Sequence, residues 1–225
     1  VAVVIPTLNE SAVIAGCLDA LAAQGPDEVV VVDAGSGDGT AMIAAATGLA
    51  RVISTRRNRG AQQNAGARAT TAEVMLFLHA DCRLGVGALD QVRAIARRAP
   101  RCPGGCLRMR VEDADWRFRA IDLAADVRAG VLGLPYGDQA IWARRAAFER
   151  VGGFPELRLM DDLGFAMRLR RLGRLVVAPA DVSVSPRRWK SRGLLRQTLT
   201  NWRLTLLATL GVSPNRLARS YGSVR

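Results

Sequence analysis

Four polar clusters in this chain carry residue types that could do chemistry. Thr7-Leu8-Asn9-Glu10 follows the apolar run Val1 to Pro6, and Asp33-Ala34-Gly35-Ser36-Gly37-Asp38-Gly39-Thr40 follows a run of four valines. His79-Ala80-Asp81 follows Val74 to Leu78, and Asp161-Asp162 opens a helical stretch. Glycines in the second cluster let a turn approach a ligand closely, and the helix after it presents free N–H groups. Three readings fit that cluster: a nucleotide site in which Asp33 pairs with a base and Ser36 or Asp38 lines the pocket, a glycine-rich loop for S-adenosylmethionine, or a plain turn in which Asp38 caps a helix. An adenosine site wants an acid at the end of the next strand. Here that strand ends in Arg56-Arg57, and a full strand–helix unit precedes the loop, which weighs against the second reading. Asp81, at a strand end, could share Mg²⁺ or Mn²⁺ with substrate phosphates; its plainer reading is a turn or cap residue. Asp161 and Asp162 could supply a general base of raised pKa, or could simply favour a helix N-terminus.

The elements that position these clusters alternate. Strands are predicted at Val1 to Pro6, Glu28 to Asp33, Arg51 to Ser54 and Val74 to Leu78. Helices are predicted at Ser11 to Ala23, Asp38 to Thr47, Ala61 to Ala69 and Val86 to Arg98. Alternation of this kind predicts right-handed crossovers and a mostly parallel sheet, with ligands outside the carboxyl ends of the strands. The first three clusters all fall on that rim. Beyond residue 100 the pattern is less regular. It reads as a strand at Cys106 to Val111, a helix at Asp115 to Arg128, a Gly/Pro loop at Gly130 to Gly137 and a short strand at Gln139 to Ala143. A helix at Leu163 to Leu172 follows, then an amphipathic helix at Leu194 to Leu210 with Leu195, Leu199, Trp202 and Leu206 on one stripe.

Composition sets the bounds. The chain has 225 residues, 49% hydrophobic and 23% charged, which suits one globular domain rather than disorder. The formal charge is +12, nearly all of it arginine, since Lys190 is the only lysine; anionic partners are favoured. The arginines are scattered and no recognition motif accompanies them, so nucleic-acid binding is not expected. Cys17, Cys82, Cys102 and Cys106 form no CxxC pair and read as reduced thiols. No signal-peptide pattern and no membrane-spanning run is read, so a cytoplasmic protein is expected. The basic stretch Arg187, Arg188, Lys190, Arg192 and Arg196, followed by the apolar stripe, adds a possible peripheral contact with anionic membrane at its inner face. The plainer alternative packs that last helix on the core.

Taken together, the motifs resemble glycosyltransferase family 2. The resemblance rests on Val4-Ile5-Pro6-Thr7-Leu8-Asn9-Glu10, Val32 to Thr40, Arg59-Gly60, Asn64-Ala65-Gly66, Phe77-Leu78-His79-Ala80-Asp81, Gly137-Asp138-Gln139, Gly152-Gly153-Phe154-Pro155 and Asp161-Asp162, in that order. Gly137 to Ile141 and Arg187-Arg188-Trp189 are similar to the small bacterial subgroup associated with radical-SAM/selenodomain genes. The resemblance implies an α/β, Rossmann-like GT-A domain with a nucleotide-binding half at 1–100, an acceptor-binding half at 101–185 and a basic helical tail at 186–225. It implies a nucleoside diphosphate sugar donor, a uridine one by family frequency, a divalent metal (Mg²⁺ or Mn²⁺), and transfer of one sugar to an acceptor hydroxyl with inversion. Pro6, Thr7, Asn9, Glu10, Asp33, Ser36, Asp38 and Arg59 would line the donor pocket, with Asp33 facing the base. His79 and Ala80 would flank Asp81, the metal-binding acid. Asp162, beside Asp161, would be the catalytic base, and Gly137, Asp138 and Gln139 would border the acceptor. His79 replaces the usual first acid of the metal motif, and Gly164 replaces an acid often found after the Glu-Asp pair. Ser185-Pro186-Arg187-Arg188-Trp189 lacks the glutamine of processive synthases, so long-chain synthesis is not expected. A catalytically degenerate scaffold and a nucleotidyltransferase are the competing readings; the latter lacks its usual Gly/Arg loop after the first strand.

Overall fold

The computed structural model describes residues 1–210 and 212; for Arg188, Ser191, Arg192 and Leu195 it describes the backbone alone. The end of the expected basic tail, 211 and 213–225, lies outside the described residues.

β1 (Ala2–Thr7) and β2 (Glu28–Asp33) are runs of buried aliphatic residues, as strands covered on both faces must be. They pair in parallel, with Thr7 opposite Asp33. β3 (Arg51–Ser54) joins β2, and β4 (Val74–Phe77) joins β1, both in parallel. The connecting helices are α1 (Ser11–Ala22), α2 (Thr40–Ala46) and α3 (Arg59–Arg68). Gly66 of α3 lies against β1, so close that an added Cβ would sit 2.3 Å from Val4 Cγ1.

The second half extends the same sheet to eight strands in the order β3-β2-β1-β4-β7-β6-β8-β5. β7 (Trp142–Arg144) runs antiparallel between β4 and β6 (Gly104–Val111). β8 (Val176–Val184) is parallel to β6, and β5 (Cys82–Leu84) closes the edge antiparallel to β8. The result is a mixed but mostly parallel sheet, as the alternation implied. Helices α4 (Ala88–Arg98), α5 (Trp116–Leu132), α6 (Arg145–Arg150), α7 (Asp161–Leu169), α8 (Arg187–Arg192) and α9 (Leu194–Thr209) flank it. The four cysteines are buried and unpaired.

Several boundaries differ from the sequence reading. α5 continues through Gly130 to Leu132, so the loop expected at Gly130 to Gly137 is only its second half, capped by Gly133 in the left-handed region. The strand expected from Gln139 begins at Trp142, and Gly137–Gln139 is a 3₁₀ turn. The stripe of α9 is also turned the other way. Leu199, Trp202 and Leu206 face solvent, and the helix packs through Gln197, Leu204 and Thr205.

Candidate active site

The parallel register carries Thr7 and Asp33 to the same rim. Thr7 Oγ1 donates to Asp33 Oδ1 at 3.1 Å, while the amides of Gly35 and Ser36 donate to Oδ2 at 2.9 and 2.8 Å. Burial pushes the Asp33 carboxyl up, but these bonds and that of the Ser36 hydroxyl outweigh it and hold the group below its ordinary value. Asp33 is therefore a fixed anion at the foot of a cleft. Asn9, with φ 55°, locks the two neighbouring loops: its amide donates to Ser36 Oγ at 2.9 Å, and its side chain accepts from the Gly37 amide at 3.0 Å. Asp38 accepts from the Ser11 amide at 3.0 Å and the Thr40 amide at 3.1 Å. Its pKa falls, chiefly through the Thr40 hydroxyl. Ser36 and Asp38 thus spend their polar atoms on loop architecture, close to the plain-turn reading of this segment. Pro6 and Glu10 flank Thr7 and Asn9 on the same rim, half-buried.

Arg59 opens α3 under a cap from Asn58, whose side chain accepts from the Ala61 amide at 2.9 Å. Burial lowers the Arg59 pKa, while Asp161, Asp162, Asp81 and Asp138 push it above its ordinary value. The exposed Arg59 side chain thus lies in the field of acids from three separate segments. Asp161 is 3% exposed, and Gln63 Nε2 donates to its Oδ2 at 3.1 Å. Asp162 is half-buried; its Oδ2 accepts from the Gly137 amide at 2.6 Å and its Oδ1 from the Leu163 amide at 2.7 Å. Gly137 is pressed between two of the expected residues. A Cβ there would lie 2.7 Å from His79 Nε2 and 3.2 Å from Asp162 Oδ2. His79, Gly137 and Asp162 are therefore direct neighbours, although up to 83 positions separate them in sequence.

The three non-glycine residues with positive φ among the described ones are Asn9, Ala140 (46°) and Met160 (62°). Each adjoins a site segment: the β1 loop, the 3₁₀ turn and Asp161. Such backbone costs of the order of 1–3 kcal/mol per residue and persists where surrounding structure enforces it.

Gln139 departs from expectation. It is fully buried, and its amide oxygen accepts from Arg128 at 3.0 Å and from the Tyr136 amide at 3.3 Å. It fixes the 3₁₀ turn from behind rather than bordering an acceptor. Asp138 and Gly137 remain on the site side of that turn. The sequence reading missed the amides of α3. Gln62 Nε2 donates to the carbonyls of Thr7 (2.9 Å) and Val32 (2.8 Å), tying the ends of β1 and β2, and Asn64 binds both the amide and carbonyl of Phe154. The available signal was three successive amide residues in a helix otherwise made of Ala, Gly and Arg.

Asp81 is exposed, and β5 pairing places it beside the end of β8. A cavity of about 160 Å³ opens there, lined by Ala80, Asp81, Arg83, Glu112, Ser185 and Arg187. Ligand atoms of His79, Asp81 and Cys82 lie within 4.8 Å of one another. Burial pushes the Cys82 thiol well up, so it stays protonated and is no ligand for a hard cation. The open carboxylate of Asp81, with His79 beside it, suits a Mg²⁺ or Mn²⁺ ion that completes its shell with phosphate oxygens.

A strand-end rim holding a fixed carboxylate, with His79, Gly137 and Asp162 meeting nearby and Asp81 exposed, sits on an α/β fold of the GT-A type. The sequence profile described as "Glycosyl transferase family 2" matches residues 2–153, and the chain belongs to that family. No curated protein sequence matches it. Among solved structures, S. aureus TarS 1–349 in complex with UDP aligns with a TM-score of 0.65 and 21% identity over 82% of this chain and 60% of that one. The mannosyltransferase PcManGT from Pyrobaculum calidifontis, in complex with GDP-Man and Mn²⁺, gives 0.67 and 24% over 91% and 59%. Glucosyl-3-phosphoglycerate synthase from Mycobacterium tuberculosis, with Mn²⁺ and UDP-glucose, gives 0.62 and 21% over 94% and 79%. These likenesses establish the shared fold. The chain spans about 60% of the TarS and PcManGT chains it matches.

Burial of Asp161 yields a stability prediction. Its carboxyl is pushed up from 3.8 to about 6, first by burial, against Arg59 and with Asp162. Between those values the folded state holds a proton that the unfolded state has released, so stability falls as pH rises through that window. Asp161→Asn is expected to stabilise the protein at pH 7 by about 1–3 kcal/mol, read as a higher Tm, with the gain vanishing below pH 4. An equal Tm difference at both pH values would contradict this.

Proposed function

We propose that the chain transfers one sugar from a nucleoside diphosphate sugar to an acceptor hydroxyl, with inversion at the anomeric carbon. The observation that carries this reading is the meeting of His79, Gly137 and Asp162 beside the strand-end rim that fixes Asp33. Thr7, Asn9, Glu10 and Asp33 form the nucleotide wall, with Asp33 accepting from the base. Asp81, with His79, would hold a divalent ion, which supplies charge neutralisation for the departing diphosphate when bound. Arg83 and Arg187, on the cavity next to Asp81, offer further positive charge to that diphosphate. Asp162 is the base. It is less buried than Asp161, and the Gly137 amide orients its Oδ2. It takes the acceptor proton as the hydroxyl oxygen attacks from the face opposite the leaving group. Asp161, held by Gln63, acts on Arg59 through its charge. Relatives of this fold captured with UDP, UDP-glucose, GDP-Man and Mn²⁺ support the donor class.

The test is release of nucleoside diphosphate from UDP-, GDP- and TDP-sugars by the purified chain with Mn²⁺. Turnover of one donor class, abolished by chelator, supports the reading. Folded protein that neither binds nor turns over any of them would favour a degenerate scaffold.

A further inference from the structure

We propose that α5 and α9 together form a docking face for an anionic lipid bilayer. The inference goes beyond sugar transfer and does not depend on it. α5 exposes Trp116, Leu123, Val127 and Val131, spaced by 7, 4 and 4 residues; α9 exposes Leu199, Trp202, Leu206 and Leu210, spaced by 3, 4 and 4. At 100° per residue each set is one stripe. Each stripe lies opposite the buried side of its helix, which is Phe118, Asp122, Ala125 and Ala129 in α5 and Gln197, Leu204 and Thr205 in α9.

The two helices run in the same direction. Near the start of α5, Phe118 packs edge-on against Trp189, 6.2 Å between centroids, and Asp113 pairs with Lys190 at 2.6 Å, just before α9 begins. Past the end of α5, the Tyr136 hydroxyl meets Thr205 and the Asn201 carbonyl, well along α9. A cleft lined by Ile121, Arg128, Tyr136, Trp189, Asn201 and Trp202 lies between them. Two neighbouring parallel helices packed on one core must therefore point both stripes to the same solvent side. The shared face is roughly 25 Å long and two helices wide, a contiguous patch of the size that marks interaction sites rather than scattered single residues.

Charge selects the occupant. Residues 182–210 contain six basic side chains and no acid. Arg187, Arg196 and Arg203 are exposed. Four of the acids nearest the face are paired, Asp113 with Lys190, Asp115 with Arg117, Asp122 with Arg119 and Asp126 with Arg110, while Glu112 stays exposed at its edge. An apolar stripe with tryptophans, bordered by unbalanced positive charge, matches the interface of a bilayer that carries anionic headgroups. No helix among the described residues is long and apolar enough to cross it, so the face lies on the membrane rather than in it. The same cleft reaches Asp138, one of the four acids around Arg59. Docking would thus turn the acceptor side of the site towards the lipid surface.

The experiment is co-sedimentation of the full 225-residue chain with phosphatidylcholine vesicles with and without phosphatidylglycerol, at low and high salt. Binding to the anionic vesicles is expected. It should fall about tenfold or more in Val127→Asp/Trp202→Asp and again in Arg196→Glu/Arg203→Glu, with thermal melts unchanged because these side chains are exposed. Absence of binding overturns the proposal. Binding that the Val127→Asp/Trp202→Asp variant retains in full also overturns it, since charge alone would then be responsible. A concentration-dependent dimer that this variant abolishes would assign the face to a second copy of the chain instead.

Discussion

Asp162→Asn is expected to lower sugar transfer by about 10²–10⁴-fold while leaving nucleotide affinity and Tm close to those of the parent. The range is what a positioned general base contributes. Asparagine keeps the shape and one acceptor oxygen, so a hydrogen bond from either Gly137 N–H or Leu163 N–H can survive. What is lost is the ability to take a proton. The Asp161→Asn variant provides the contrast. Asp161 is buried and bonded to Gln63, so its substitution acts through the placement of Arg59 and should show mainly in donor affinity. The pair of variants therefore separates the roles by a kcat-against-KM split. Full transfer by Asp162→Asn, or loss of kcat only in Asp161→Asn, would exchange the two roles. Steady-state kinetics on the preferred donor, with calorimetric binding of the nucleoside diphosphate, gives both readouts.

The first half of this fold was legible because buried parallel strands read as unbroken apolar runs, as in Val3 to Ile5 and Val29 to Val32. The carboxyl-end rule then placed Thr7, Asp33 and Asp81 on one rim without coordinates. The second half hid its strands for physical reasons. β8 contains Pro179 and Asp181, which interrupt the apolar pattern of a strand. The structure accommodates them in a bulge, where the β6 partner steps from Ala178 to Asp181 between Leu107 and Arg108 and Pro179 is exposed. β5 is three residues long and owes its existence to β8. Gln139 was expected at the acceptor because it belongs to the family-like motif Gly137-Asp138-Gln139. Its amide is consumed by Arg128 and Tyr136, and Arg128 also stacks on the Tyr136 ring. The meeting of His79, Gly137 and Asp162 was not readable either, since the fold alone brings residues 79, 137 and 162 together. The apolar stripe of α9 was legible, but its direction was not. Periodicity reports a face and leaves open whether the core or the solvent receives it.

Asp81→Ala is expected to remove the Mn²⁺-dependent part of nucleoside diphosphate affinity, about tenfold or more in the parent, and to stop transfer. Asp81 is exposed, and the weak S–H donor of Cys82 lies 3.8 Å from its Oδ1, so the fold should not suffer. Few groups beside Asp81 can hold a hard cation. Cys82 is kept protonated by burial, and His79 offers a nitrogen where a carboxylate is usual in the family it resembles. Asp81 is then the one anionic oxygen donor of that cluster. Titration of UDP, GDP and TDP with and without Mn²⁺ reads the effect directly. Loss of the metal-dependent increment alone, with a residual metal-independent affinity, places Asp81 at the ion and Asp33 with Arg59 at the nucleotide. A parent protein that binds nucleotide equally with and without Mn²⁺ would contradict the assignment, and Arg83 and Arg187 on the adjoining cavity would then be the groups that carry the diphosphate charge. An Asp81→Ala protein that keeps its Mn²⁺ response would move the ion to another of the acids gathered around Arg59.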